Sequence, residues 1–192
     1  MSYLLFLILA PAMAAGAALL LEHAAPWLKA ALSTAVSLAC FAVGVHLFGQ
    51  TVALSVPWGG FGFDFSLRLY HLSGFLVCAV SGFALLVSLY SWVFMQDKPH
   101  TGWYYFNFLL TLSFANGAVL ADNLVLMLFF WEGMMIPLYL FIAFSYDTHE
   151  SRATAMKALL ISGAADLCLL VGVGITSYLA ETTSISAICS LQ

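Results

Sequence analysis

Hydrophobic residues fall into six long runs along this chain, and short polar segments separate each run from the next. A helix needs about 20 apolar residues, each adding about 1.5 Å, to cross a bilayer. Every run has about that length, and every break contains proline, glycine or charged residues, which are typical of helix ends. The pattern therefore predicts transmembrane helices at about residues 3–21, 28–48, 69–95, 103–121, 123–144 and 153–179.

The longest interruption, residues 49–68, has a different pattern. Phe61, Phe63 and Phe65 alternate with other residues after a pair of glycines, and a period of two is typical of strands. We expect a short hairpin here, lying on the membrane surface between the second and third helices. No internal repeat or linker divides the chain, so residues 1–192 are predicted to form a single all-α transmembrane domain.

Composition supports a membrane location. Hydrophobic residues make up 64% of the chain and charged residues 7%, with a mean hydropathy of +1.03. Soluble domains contain about 45–50% and about 25% of these classes, so we expect an integral membrane protein surrounded by lipid. The net charge of −4 does not indicate a nucleic-acid partner. The cysteines lack the spacing of a metal site, and neither a metal nor a cofactor is predicted.

Lysine and arginine are distributed unevenly between the two sides of the predicted helices. The side of the N-terminus carries Arg68, whereas the opposite side carries Lys29, Lys98, Arg152 and Lys157. Cytoplasmic loops of membrane proteins are enriched in these residues. We therefore expect both chain termini to lie outside. The membrane itself is expected to be a prokaryotic cytoplasmic membrane.

Two acids lie near the middle of predicted helices, Glu132 in the fifth and Asp166 in the sixth. An acid at this depth costs about 2.5–3.5 kcal/mol, so such residues are usually functional. Burial favours the neutral form of a carboxyl group and a nearby cation favours the charged form. Lys157 lies nine residues before Asp166, on the opposite helix face, so the two do not pair directly, and Lys157 could extend to the membrane interface or serve a different face. The sequence has no cation at the depth of the two acids, so they are either neutral at rest or paired with another chain.

Residues near Glu132 favour a hydrated helix. Pro137 has no N–H, so the carbonyl of Gly133 loses its usual partner, and Gly133 itself adds backbone freedom. We therefore expect a helix break that holds water.

Asp122 is expected to cap the fifth helix or to lie in the membrane interface. Further polar residues form a possible polar path: Asn107, Ser113, Asn116 and His71.

The stretch "LFFWEGMMIPLYLFIAF" resembles the antiporter-like subunits of respiratory complex I, a family that includes Mrp-type Na+/H+ antiporters and subunits of membrane-bound hydrogenases. Members carry a Trp-Glu pair in the fifth helix, often followed by proline, matched here by Trp131, Glu132 and Pro137. One branch has an Ala-x-Lys-Ala stretch and a later Gly-Asp pair, matched by Lys157 and Asp166 with Ala165 in place of the glycine. The resemblance covers about residues 69–180. It departs from the family at Tyr70, where an acid is often found.

The resemblance implies a proton-translocating subunit of a redox-driven membrane complex, of the NADH:quinone oxidoreductase or membrane hydrogenase type. Glu132 is then the proton-switch acid, Asp166 a relay and Lys157 the entry-side cation, with no redox chemistry in this chain itself. In the family, the glutamate pairs with a lysine on a broken seventh helix. Six helices are predicted here, so the chain is expected to be either the amino-terminal portion of a split subunit or a truncated form that scaffolds an assembly. In the first case we expect another membrane subunit to supply that lysine.

Two other functions remain open at this point. The chain could be a scaffold that packs other subunits of such a complex without transporting protons. It could also bind haem or quinone, since His46 and His71 are both expected near the outer surface.

Overall fold

The apolar runs form helices close to their predicted bounds. The structure, a computed structural model, describes residues 2–22, 25–57, 64–144 and 149–190. Its helices are α1 (Ser2–Leu20), α2 (Pro26–Leu47), α3 (His71–Phe94), α4 (Thr101–Leu120), α5 (Leu124–Phe144), α6 (His149–Ala180) and α7 (Ile185–Cys189). Its two strands are β1 (Val52–Pro57) and β2 (Asp64–Leu69). The sixth helix begins earlier than predicted, and the short α7 was not predicted.

Five of the described helices, α1, α2, α3, α5 and α6, are long and apolar enough to cross a membrane. The protein is thus a mainly helical membrane protein, as expected. The predicted fourth span does form a helix, α4, but it is not among these five. Its hydropathy is lowered by polar residues that are buried against other helices, chiefly Asn107, Ser113 and Asn116. The six-span topology therefore stays a prediction, as does the side on which each terminus lies.

Helices α1 to α4 pack together as a bundle, in which α4 contacts each of the other three. Helix α5 packs against α4, and α6 packs mainly against α5. We call the end of the bundle where α2 and α4 begin the Lys29 end, and the opposite end, which carries the strands, the hairpin end. Helix α1 begins at the hairpin end. Helix α7 also lies there, since Asn123 bonds to Thr183 and Asp122 bonds to Ser186 of α7.

Two polar residues of α4 bond to backbone carbonyl groups of α1, and a proline in α1 explains one of them. Pro11 lies inside α1 and has no N–H, so the carbonyl of Leu7 lacks its usual donor within the helix. The side-chain amide of Asn116 donates to that carbonyl at 3.0 Å, and the Ser113 hydroxyl donates to the carbonyl of Ile8 at 2.7 Å. These buried hydrogen bonds fasten α4 to α1.

The strands form an antiparallel pair in which Val52 lies opposite Leu69 and Pro57 lies opposite Asp64. Leu67 of β2 also forms an isolated bridge with Ala121, which connects the strands to the segment between α4 and α5. The predicted hairpin therefore has paired strands, and its position on a membrane surface stays a prediction. Phe61 and Phe63 lie outside the described residues.

The segment between α4 and α5 is held by side-chain hydrogen bonds. Asn123, rather than Asp122, caps α5: its Oδ1 accepts from the backbone N–H groups of Val125 at 2.9 Å and Leu126 at 3.3 Å. Asp122 instead accepts from the backbone N–H of Ser186 at 3.1 Å and from its hydroxyl at 2.7 Å. The prediction of Asp122 as the α5 cap was therefore wrong, because the carboxylate is used to hold the start of α7.

Candidate functional site

Glu132 lies on the wall of a groove of about 850 Å³ that is bordered by α4, α5 and α6. Phe114 lines the groove from α4, Ile136 and Tyr139 line it from α5, and Leu159 lines it from α6. The polar residues of the lining are Glu132 and Tyr139, which lie two helical turns apart on one face of α5. The other lining residues are apolar. The groove thus presents one carboxyl group to largely hydrocarbon surroundings.

The Glu132 side chain is exposed on this chain. Among the side chains that the structure describes, no cation lies within salt-bridge distance of Glu132, since the one such bridge joins Glu22 and His100. Glu132 was predicted to lie near the middle of its helix, and the bounds of α5, Leu124–Phe144, are consistent with that depth. The expected burial, however, is not provided by the described helices and would have to come from lipid or from further protein.

Asp166 has a partner that sequence reasoning missed. The indole N–H of Trp131 on α5 donates to Oδ1 of Asp166 on α6 at 3.0 Å. Trp131 directly precedes Glu132, so this hydrogen bond ties Asp166 to the helical turn that carries the glutamate. An indole N–H in apolar surroundings needs an acceptor, and that requirement was the signal available in the sequence.

Gly133 and Pro137 do not interrupt α5. The helix runs continuously from Leu124 to Phe144 with Pro137 inside it, so the predicted break is absent. A Cβ atom at Gly133 would lie 2.7 Å from Cε1 of the Phe114 ring. Gly133 is therefore needed for close packing of α5 on α4, because the aromatic ring occupies the space of a larger side chain.

The predicted polar path is not assembled around Glu132. Asn107, Ser113 and Asn116 are buried in α4 and donate to backbone carbonyl groups, and none of them lines the groove. His71 is the first residue of α3 and is exposed. The oxygen atoms Oδ1 of Asn107 and Asn116 are buried without a hydrogen-bond partner among the described residues. These residues thus lie inside the α1–α4 bundle instead of beside the groove.

Lys157 and the two histidines are also separate from the groove. Lys157 is exposed on α6, and no salt bridge joins it to a carboxylate whose side chain is described. His46 lies edge-on to the ring of Tyr3, with 5.8 Å between the centroids. Within the described part of the chain, no group of three or more His, Cys, Asp or Glu residues is placed to hold a metal ion.

Comparison with known proteins confirms the resemblance. Residues 121–192 match the family described as "NADH:quinone oxidoreductase/Mrp antiporter, TM". The chain is 32% identical over 158 residues to NADH-quinone oxidoreductase subunit L of Mycobacterium tuberculosis, covering 76% of this chain and 25% of that protein. It is 31% identical over 138 residues to Na(+)/H(+) antiporter subunit A1 of Staphylococcus aureus, covering 71% of this chain and 17% of that protein.

A solved structure shares the fold. A chain of the membrane-bound sulfane sulfur reductase, an archaeal respiratory membrane complex, superposes with a TM-score of 0.84 at 19% identity. The superposition covers 100% of this chain and 40% of that chain. This chain spans 25% of the length of the M. tuberculosis subunit L and 17% of the length of the S. aureus subunit A1. Those relatives are subunits of membrane complexes, and the matched segment includes Glu132 and Asp166.

Proposed function

Because residues 121–192 belong to the NADH:quinone oxidoreductase/Mrp antiporter transmembrane family, we propose that this chain is all or part of an antiporter-like subunit that moves protons in a redox-driven membrane complex. Glu132 is the acid that gains and loses the proton. The observation that carries the proposal is its carboxyl group, which lies near the middle of a membrane helix on an apolar groove and has no described cation beside it.

The cost of this arrangement supports a proton-switch role. A carboxylate at the centre of a bilayer costs about 2.5–3.5 kcal/mol, and this groove supplies little polar surface to offset that cost. The group is stable when neutral, or when a cation lies within a few ångströms. If such a cation approaches and withdraws, the proton leaves and returns, because the Coulomb energy of the pair changes with distance.

The uncovered face of α5 and α6 supports a partner that brings this cation. None of the residues in the apolar part of α6, Met156–Ala180, is buried by the rest of the chain, and the groove beside Glu132 is open. Further membrane helices, whether from a longer form of this chain or from another subunit, would cover both surfaces. The greater length of the relatives is consistent with such helices.

A relay role for Asp166 is supported by its hydrogen bond with Trp131, which directly precedes Glu132 on α5. Lys157 lies nine residues toward the start of α6, about 13 Å along the axis, and serves as the entry-side cation.

Replacement of Glu132 by Gln tests the proposal in membranes that contain the assembled complex. We expect proton translocation to fall by about a hundredfold or more, because glutamine keeps the size of the side chain but cannot bind and release a proton. The matched control is Glu181→Gln, the same change after the end of α6, which should leave translocation unchanged. Translocation that survives Glu132→Gln with normal assembly would instead favour the scaffold function.

A further inference from the structure

Lys29 is a buried cation that the proposed function does not use. It lies in the first turns of α2, where its position in the sequence suggested a loop cation, yet it is only 1% exposed. Its Nζ donates one hydrogen bond, to the backbone carbonyl of Glu22 at 3.0 Å. An ammonium group has three N–H donors, so this bond leaves most of its hydrogen-bonding capacity unused by the described residues.

Unpartnered polar atoms continue from Lys29 into the bundle. Ser33 and Ser37 follow Lys29 at intervals of four residues on the buried face of α2, about 6 Å and 12 Å further along the axis. Both side chains are 0% exposed, and neither hydroxyl has a hydrogen-bond partner among the described residues. Asn107 of α4 has a similar distance from the Lys29 end and also has a buried, unpartnered Oδ1.

A carboxyl group connects this region to the surface. Oε1 of Glu22 lies 3.8 Å from Nδ1 of His100, and the side chains are 28% and 70% exposed, respectively. Oε2 of Glu22 is buried against Gly102 and has no hydrogen-bond partner among the described residues. A Cβ atom at Gly102 would overlap with this carboxylate, so the absence of a side chain there is what allows the carboxylate to enter between α1 and α4.

The other helices at this end contribute neutral groups. The hydroxyl of Tyr105 donates to the carbonyl of Ser91 at 3.2 Å, and the hydroxyls of Tyr104 and Ser91 are 2.7 Å apart. Among the described residues, Glu22 and Lys29 are the charged groups with buried polar atoms at this end, whereas His100, Asp97 and Lys98 are exposed. Helix α3 brings only serine hydroxyls and apolar side chains to its buried face there.

We propose that Glu22, Lys29, Ser33, Ser37 and Asn107 line a hydrated proton-uptake site, the Lys29 pocket, which is distinct from the Glu132 groove. Buried water typically bonds to polar groups that the protein leaves unpaired, and the buried, unpartnered oxygens and the ammonium group offer both donors and acceptors. A proton from solvent binds the Glu22 carboxylate to give the neutral acid. The acid then returns to the carboxylate by passing a proton to a water molecule in the pocket.

Thiol accessibility tests whether the pocket is wet. Single cysteines are introduced as Ser33→Cys or Ser37→Cys in a background whose four native cysteines are replaced by serine, and native membranes are treated with a small, water-soluble thiol reagent. The matched control is Ala15→Cys, which is 0% exposed in an apolar cluster at a comparable distance from the Lys29 end. We expect the pocket cysteines to react about tenfold faster or more, because the thiolate that reacts forms only where water is present. Equal rates at the three positions would overturn the proposal.

Proton translocation by the assembled complex tests whether the wet pocket is used. We expect Glu22→Gln and Lys29→Gln each to lower the rate by about tenfold, while Lys98→Gln, which removes an exposed cation at the same end, has no effect. If Lys29→Gln does not assemble, Glu22→Gln decides the outcome, and an unchanged rate contradicts proton uptake. Adding Glu132→Gln to the Ser33→Cys variant should leave its thiol labelling unchanged, so failure of the Glu132 proposal is distinguishable from failure of this one.

Discussion

The hydrogen bond between Trp131 and Asp166 is a side-chain link between α5 and α6 that can be measured directly. Replacement of Trp131 by Phe removes the N–H that donates to Oδ1 at 3.0 Å and keeps an aromatic ring in its place. Interhelical hydrogen bonds in membrane proteins contribute about 0.6 kcal/mol on average and about 1.7 kcal/mol at most.

A double-mutant cycle isolates this interaction from the loss of ring packing. The variants are Trp131→Phe, Asp166→Ala and the double variant, each compared by reversible unfolding in mixed detergent micelles followed by circular dichroism. We expect the double variant to be less destabilised than the sum of the single variants by about 0.6–1.7 kcal/mol. The control cycle pairs Asp166→Ala with Trp103→Phe, because Trp103 contacts Phe106 on its own helix and not Asp166.

The control cycle should be additive within about 0.5 kcal/mol. Additivity in the Trp131 cycle as well would show that the indole N–H does not hold Asp166, and would remove the reason for assigning Asp166 a position beside Glu132. If the coupling is present, Trp131→Phe should also slow proton translocation, although less than Glu132→Gln does.

Two further predictions concern the packing around α4. Asn116→Ala should destabilise the protein by about 1–3 kcal/mol, because the α1 carbonyl freed by Pro11 then lacks a donor. Adding Pro11→Ala should recover part of this loss, as measured by reversible unfolding, and no recovery would contradict the explanation. Gly133→Ala should lower the free energy of unfolding by about 1–3 kcal/mol, because the added methyl group meets the Phe114 ring. Adding Phe114→Leu should relieve this overlap. The control Gly163→Ala, at a position with open space, should leave stability nearly unchanged.

Hydrophobic patterning predicted the helices well because lipid imposes a minimum length of apolar sequence on every crossing. It failed at the start of α6, where polar residues from His149 onward were interpreted as a loop but continue the helix. A helix satisfies its own backbone hydrogen bonds in water as well as in lipid, so a change in polarity does not mark its end. The short α7 has too few residues to show any periodicity.

The depth of Glu132 and Asp166 could be inferred from the sequence, but their surroundings could not. Depth follows from counting residues along a helix, whereas a contact depends on how each helix is rotated about its axis. Trp131 was therefore recognised as part of a motif but not as the donor to Asp166. For the same reason Lys29 was counted as a loop cation, although the rotation of α2 places it inside the bundle at 1% exposure.

The asparagines of α4 show how one sequence signal can arise from different physical requirements. Asn107 and Asn116 both looked like members of a path toward Glu132, because an amide in a membrane helix needs partners. For Asn116 the partner is a carbonyl that Pro11 leaves free in α1. Proline identifies that carbonyl from sequence alone, four residues earlier, but only the packing of α1 on α4 shows which side chain satisfies it. Asn107 instead donates to a carbonyl of its own helix, at the depth of Ser33. Both asparagines keep a buried Oδ1 without a described partner, so the difference between them is the partner of the amide N–H and the end of the bundle at which each lies.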